Sequence, residues 1–148
     1  MLSQKAKYAM RALLYLAKAQ SDEPVGIAEI AAKQAVPRKF LELILLELKR
    51  NGFVQSFRGK HGGYALAKAP GEIHFGEVIR LIDGPLAALP CASLTAYRRC
   101  VDCEDEATCV IRHILKQVRD ASSGILDRTS LSDVLDGRAG ELVMGDGI

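Results

Sequence analysis

Residues 59–63 read Gly-Lys-His-Gly-Gly, and three glycines in five positions force the chain into a sharp reversal. Glycine reaches positive φ angles at little cost, as the tip of a tight hairpin requires. The flanks, residues 53–58 and 64–67, read as two short strands, so the segment is expected to be a β-hairpin. Arg58, Lys60 and His61 place positive or protonatable groups at its tip. An ordinary glycine-rich turn would explain the glycines equally well. What precedes the hairpin favours a more specific reading.

Upstream, the apolar spacing is helical. Ala9, Ala12, Leu13, Leu16 and Ala17 form one stripe of a helix expected over 4–19, with Ser3 as its N-cap. Ser21, Asp22, Glu23 and Pro24 read as a loop. A short helix follows over 27–34, with Ile27, Ile30 and Ala31 inward, and Ala35-Val36 form a tight turn. Pro37 suits the first position of the next helix, where its missing N–H costs nothing. That helix carries Phe40, Leu41, Ile44, Leu45 and Leu48 on one face and stops at Asn51-Gly52. A short helix, a turn and a longer helix within 25 residues have helix-turn-helix spacing. A basic hairpin directly behind them is the wing of a winged-helix domain.

Charge supports a polyanion-binding half. Residues 1–70 hold 12 Lys/Arg against 5 Asp/Glu, whereas residues 71–148 hold 8 against 13. A helix beginning at Pro37 would enter a major groove N-terminus first, with Arg38, Lys39 and Glu42 near its tip and off the core stripe. Arg38 could read guanine or clamp phosphate. Glu42 could accept from a cytosine amino group, or could only balance local charge. Arg58, Lys60 and His61 would reach backbone or minor groove, and Gly62 and Gly63 would let the wing approach closely. Lys5, Lys7 and Arg11 are candidate phosphate contacts or a solvated helix face.

Beyond the wing, Phe75, Val78, Ile79 and Ile82 mark another helix, closed by Gly84-Pro85. A long helix is expected over 106–126. Ala107, Ile111, Ile114, Val118, Ala121 and Ile125 alternate four- and three-residue steps along it, the seam spacing of a coiled coil. A dimer seam is favoured over a monomer core face, because the helix extends past a winged domain that is already complete. Thr129 is the expected cap of a final short helix with Leu131, Val134 and Leu135. The expected organisation is a winged helix-turn-helix domain over 1–84, a cysteine-rich loop over 85–105, a dimerisation helix with the short final helix over 106–137, and a mobile tail over 138–148. The fold class is mainly α with a small β-hairpin. A twofold dimer would bind a pseudo-palindromic duplex with half-sites a whole number of helical turns apart.

All four cysteines, Cys91, Cys100, Cys103 and Cys109, fall within 19 residues, with His113 four residues after the last. No run is apolar enough for a membrane span, and the N-terminus shows no signal-peptide pattern, so a cytoplasmic location is expected. In a reducing compartment such cysteines bind metal or sense redox state rather than forming structural disulfides. Three readings stay open on spacing: an iron–sulfur cluster, a four-coordinate zinc site using the Cys100-x2-Cys103 pair, or a thiol–disulfide switch. Arg98 and Arg99, just before Cys100, are expected to lower nearby thiol pKa values. An enzyme is disfavoured: Cys100-x2-Cys103 lacks the βαβ setting of a redox motif, and no phosphate loop or dinucleotide fingerprint is present.

Taken together, these residues resemble the Rrf2 family of winged-helix regulators, of the IscR, NsrR and RirA kind. The marks are Lys7-Tyr8-Ala9, Ile27-Ala28-Glu29-Ile30-Ala31, Phe40-Leu41-Glu42 and Arg50-Asn51-Gly52-Phe53-Val54. The wing Arg58-Gly59-Lys60-His61-Gly62-Gly63-Tyr64 and then Gly76-Glu77-Val78-Ile79 complete them. The resemblance spans about residues 1–135. It implies a homodimeric bacterial transcription factor carrying a 2Fe–2S or 4Fe–4S cluster, the former favoured over the latter and over zinc. It also implies that Glu42 reads a base. Cys91, Cys103 and Cys109 are the expected ligands, with Cys100 as fourth and His113 as its alternative. The spacing departs from the family's usual three cysteines in the extra Cys100 and in a histidine four, not three, residues after the last cysteine.

Overall fold

A computed structural model describes residues 2–19 and 23–138. Ser21 and Asp22 of the expected 21–24 loop and the tail from residue 139 therefore lie outside the described residues. The first helix, α1 (Gln4–Ala19), buries Ala6, Ala9, Ala12, Leu13, Leu16 and Ala17, the stripe its spacing predicts. The Ser3 hydroxyl oxygen accepts from the Ala6 N–H at 3.0 Å, satisfying a donor that the helix leaves free. Helix α2 (Ile27–Gln34) ends at Ala35, whose φ of 50° is left-handed without being glycine. The Ala35 N–H donates back to the Ala31 and Ala32 carbonyls, and this tight stop sets the turn into α3 (Arg38–Arg50). Pro37 stands one residue outside that helix as its N-cap, rather than at its first position.

Strands β1 (Val54–Phe57) and β2 (Gly63–Leu66) form an antiparallel pair with Val54 opposite Leu66 and Phe57 opposite Gly63. Each is a residue or two shorter than, or displaced from, its expected span. Val25 adds a third edge, exchanging 2.8 Å backbone hydrogen bonds with Tyr64 in both directions. Helix α4 (Phe75–Asp83) follows and ends at Gly84, φ 86°.

One core joins these elements. Leu13, Ile30, Leu41, Ile44, Leu45, Leu48, Val54, Ile73 and Val78 are all essentially inaccessible to solvent and pack in a single cluster. Phe40, expected in the stripe, sits at its margin, edge-on to Tyr8 with ring centroids 5.7 Å apart. Leu131 of α6 (Leu131–Leu135) joins the same cluster. The final helix, grouped with the long helix on sequence grounds, thus packs against α1 and the 3₁₀ turn at 70–72. Its cap is Ser130, not Thr129: the Ser130 hydroxyl oxygen accepts from the Asp133 N–H, and the Asp133 carboxylate accepts from the Ser130 N–H. Thr129 instead donates to the Ile125 carbonyl at 2.8 Å.

The long helix, α5 (Val110–Leu126), starts four residues later than expected. Asp105 explains the delay, because its carboxylate accepts from the Ala107 N–H at 2.9 Å and the Thr108 hydroxyl at 3.1 Å. These bonds fold 105–108 into a turn and hold the Asp105 carboxyl below its usual pKa. Cys109 then caps α5, its sulfur accepting from the Arg112 N–H.

Candidate nucleic-acid interface and cysteine loop

The face of α3 that turns away from the core carries Arg38, Lys39 and Glu42, all exposed. Arg38 and Glu42 form an i,i+4 ion pair at 3.4 Å with more than half of each side chain in solvent. The free protein therefore shows the charge-balancing arrangement of Glu42. Such a pair is worth only ~0.3–0.5 kcal/mol, so it opens readily for another partner. Two leucines share this face, Leu43 at 60% exposure and Leu46 at 41%. Neither lies on the apolar stripe that the spacing of α3 defines. Five leucines in α3 exceed what one buried stripe uses, which was the available signal.

The wing presents Arg58, Gly59, Lys60 and His61 to solvent. Its glycines serve the protein's own backbone. A Cβ at Gly62 would lie 2.4 Å from the Phe57 carbonyl oxygen, and one at Gly63 only 2.3 Å from that of Val25. The hairpin is thereby held against residue 25, and so against the helix-turn-helix that begins there. On the opposite side Lys5 is tied to Glu47 at 2.5 Å. That leaves Lys7 and Arg11 as the better phosphate candidates of the first helix.

The cysteine loop packs on α5 rather than on the winged domain's core. Cys91 is buried in a 3₁₀ turn at 90–92. Two arginines of α5 hold that turn: Arg112 donates to the Cys91 carbonyl at 3.0 Å, and the buried Arg119 donates to the Ala92 carbonyl. Arg119 is neutralised by Asp120 at 2.5 Å. Neither arginine had a sequence signature, because a helix arginine reads as solvated by default. At the far end of α5, Arg80 makes a two-pronged bond to Asp127, at 2.6 and 2.8 Å. Gly76 makes room for it, since a Cβ there would sit 1.9 Å from the Asp127 carboxylate.

All four thiols are free. A hydrogen bond with Cys91, then burial, then the charges of Cys91, Asp102 and Cys103 push the Cys100 thiol up. Burial and then Cys109 push up Cys103. Arg99 does pull Cys103 down but is outweighed, so the net direction is opposite to the one expected from the neighbouring arginines. Arg99 donates to the Cys103 and Glu104 carbonyls, which keeps it in the loop. The four sulfurs thus share one electrostatic neighbourhood. Among the described residues, however, no three His, Cys, Asp or Glu side chains form a closed group that could hold a metal ion. The donor chemistry fits a thiophilic group, namely four free thiols on a short loop anchored by its backbone carbonyls. His113 donates from Nε2 to the Ala107 carbonyl at 2.8 Å. A carbonyl can only accept, so Nε2 is the donor in this bond and Nδ1 is the ring nitrogen outside it.

The stripe Ile111, Ile114, Val118 and Ile125 is 50–63% exposed, and Ala121 is exposed with it. Among the described residues the stripe is therefore left uncovered. Ala107, expected at its head, lies in the turn before the helix. No helix among the described residues is long and apolar enough to cross a membrane.

A helix-turn-helix with a basic hairpin behind its second helix defines a winged-helix DNA-binding transcription regulator. The chain belongs to the Rrf2 family, described as iron-dependent transcriptional regulators, whose model matches residues 2–137. It is 47% identical over 138 residues to a Rhodobacter capsulatus protein named as an Rrf2-like HTH-type transcriptional regulator, covering 91% of this chain and 92% of the other. To the regulator NsrR of Geobacillus kaustophilus it is 32% identical, covering 93% and 91%. The structure of CymR, the global cysteine regulator of B. subtilis, superposes with a TM-score of 0.75 at 29% identity, covering 90% of this chain and 95% of that one. These relatives are regulators, and the family is not enzymatic.

Proposed function

We propose that the chain acts in the cytoplasm as a homodimer, paired through the exposed stripe of α5, that binds a pseudo-palindromic operator with an affinity set by an iron–sulfur cluster on its cysteine loop. The observation that carries this reading is the position of the stripe. Ile111, Ile114, Val118 and Ile125, half-exposed and at coiled-coil spacing, begin directly after four cysteines and run along the helix that holds the cysteine loop. Cys91, Cys103 and Cys109 would hold the cluster, with Cys100, or His113 through Nδ1, as fourth ligand. A cluster of the 2Fe–2S type, favoured over 4Fe–4S, supplies a redox- and nitric-oxide-sensitive cross-link among these groups when bound.

The protein's own residues supply the transmission. Arg112 and Arg119 couple the backbone of residues 91 and 92 to α5, and Arg80–Asp127 couples α5 to α4 and the winged domain. A shift of the loop on α5 changes the angle between the two α3 helices of a dimer, and thereby their fit to two half-sites. Arg38, Lys39 and Glu42 then address bases and phosphates, with Arg58, Lys60, His61, Gly62 and Gly63 of the wing beside them.

The test is anaerobic purification with iron, sulfide and zinc analysis and a visible spectrum, followed by operator titration of the loaded and stripped protein. Iron with matching sulfide is expected, with a 5- to 150-fold difference in affinity, the span of a ~1–3 kcal/mol coupling. Equal affinities would remove the sensing role. Zinc without sulfide would make the loop a structural knot.

A further inference from the structure

The outermost line of α3, directly opposite its buried stripe, reads Lys39, Leu43, Leu46, Arg50. The spacing of four, three and four residues keeps these side chains on one face through about three turns. The two ends are cationic and the middle is apolar. Leu43 is 60% exposed, immediately beside Glu42, while the core residues of the same helix, Leu41, Ile44, Leu45 and Leu48, are fully buried. These leucines pack no core in this fold, so their place on the groove-facing side of the recognition helix has to be explained by what lies outside the protein.

The purine N7, guanine O6, adenine and cytosine amino groups and thymine O4 on the major-groove edge all hydrogen-bond, whereas the C5-methyl of thymine does not. Leucine has no donor or acceptor, so it would desolvate guanine, adenine or cytosine edges without replacing their bonds to water. Against a thymine methyl it loses nothing and buries apolar surface. The cationic ends fit the same placement, because phosphates flank the groove on both sides of the base edges. We propose that Leu43, supported by Leu46, is a specificity-determining residue that selects thymine at one position of each half-site through its C5-methyl group. This rests on the DNA-binding reading above. It adds a methyl contact to the polar contacts of Arg38 and Glu42, and it specifies a base that neither of them can select.

The test starts from a randomised duplex library selected with the full-length protein, both as purified anaerobically and after metal removal. Enriched half-sites are expected to hold an invariant thymine next to the position read by Glu42. Replacing that thymine with deoxyuridine removes only the methyl group. The wild-type protein should then bind about fourfold more weakly, the equivalent of the ~0.8 kcal/mol of one buried carbon. Leu43→Ala, an exposed substitution outside the core, should bind both duplexes with equal affinity and keep the wild-type salt dependence. A deoxyuridine penalty that persists undiminished in Leu43→Ala would assign the methyl to another residue and overturn the proposal. So would half-sites enriched without any invariant thymine, while leaving the DNA-binding reading intact. Failure to enrich any duplex, in either metal state, would remove the DNA-binding reading and this inference with it.

Discussion

Two helices of nearly equal length have opposite relations to the core. Helix α1, with 16 residues, buries six, all of them apolar. Helix α5, with 17, buries one, and that one is an arginine. Both sequences are amphipathic, and both carry a regular apolar stripe. The difference lies in what faces the stripe. α1 is enclosed by α2, α3, α4, α6 and the wing, whereas α5 meets chiefly the turn at 90–92 and a few residues of α4. The winged domain is thus held by its own hydrophobic core. The cysteine loop and α5 are held by hydrogen bonds to backbone carbonyls, and among the described residues their apolar side is uncovered.

Paired substitutions test this contrast most sharply. Leu45→Ala removes a fully buried side chain from the core and should cost about 2–5 kcal/mol in chemical denaturation, whatever the protein concentration. Ile114→Asp places a charge in the α5 stripe. It should leave the winged domain folded but convert the protein to a monomer in sedimentation. The wild-type Tm should rise with protein concentration, and that dependence should vanish in Ile114→Asp. A wild-type protein that sediments as a monomer with a concentration-independent Tm would show that α5 functions unpaired.

The same contrast governs what could be read from the sequence. Periodicity reports burial, and the stripes of α1, α2 and the inner face of α3 were legible because one core takes up their inward positions. Ends set by local side-chain chemistry were harder to place. Asp105 delays the start of α5, and Ser130 rather than its neighbour Thr129 caps α6; either choice was compatible with the spacing. The third strand edge at Val25 was invisible, because a single bridged residue has no alternation to detect. Leu131 lies 118 residues from Leu13, and no local pattern announces their shared cluster. At the candidate site, charged residues of α3 and the wing could be located from their positions off the stripe. The carbonyl-holding Arg112 and Arg119 could not, since a helix arginine is solvated by default, and Leu43 was marked only by the surplus of leucines in α3.

A smaller effect is expected at the joint between the cysteine loop and α5. Arg119→Met keeps much of the side chain's volume but leaves the Ala92 carbonyl without its donor and Asp120 without its partner. Asp120 is largely exposed and can be solvated, so the main loss is the buried carbonyl, at ~1–3 kcal/mol. Hydrogen exchange should locate the loss, with faster exchange over residues 90–100 and unchanged protection in α1 and α3. Uniform loosening across both regions would mean that the loop and the winged core unfold as one unit, and that the contrast drawn from burial does not extend to dynamics.

The smallest effect belongs to Asp127, where α5 meets α4. The two-pronged bond from Arg80 holds the Asp127 carboxyl below the ordinary range, and the same bond raises the Arg80 guanidinium. A carboxylate depressed in the folded state stabilises above its unfolded pKa of ~3.9 and loses that contribution as pH falls through the folded value. Both side chains are about a third or more exposed, so solvent screening limits the contribution to ~0.5–1 kcal/mol. Acid titration of stability from pH 5 to pH 2 should therefore show a shallow extra loss in the wild type that Asp127→Asn lacks. Gly76→Ala should mimic the substitution at neutral pH, because its methyl group would occupy the position of the carboxylate oxygen and displace it from Arg80. If Gly76→Ala keeps the wild-type acid profile, the Arg80–Asp127 pair survives displacement, and α5 is joined to the winged domain by something other than this bond.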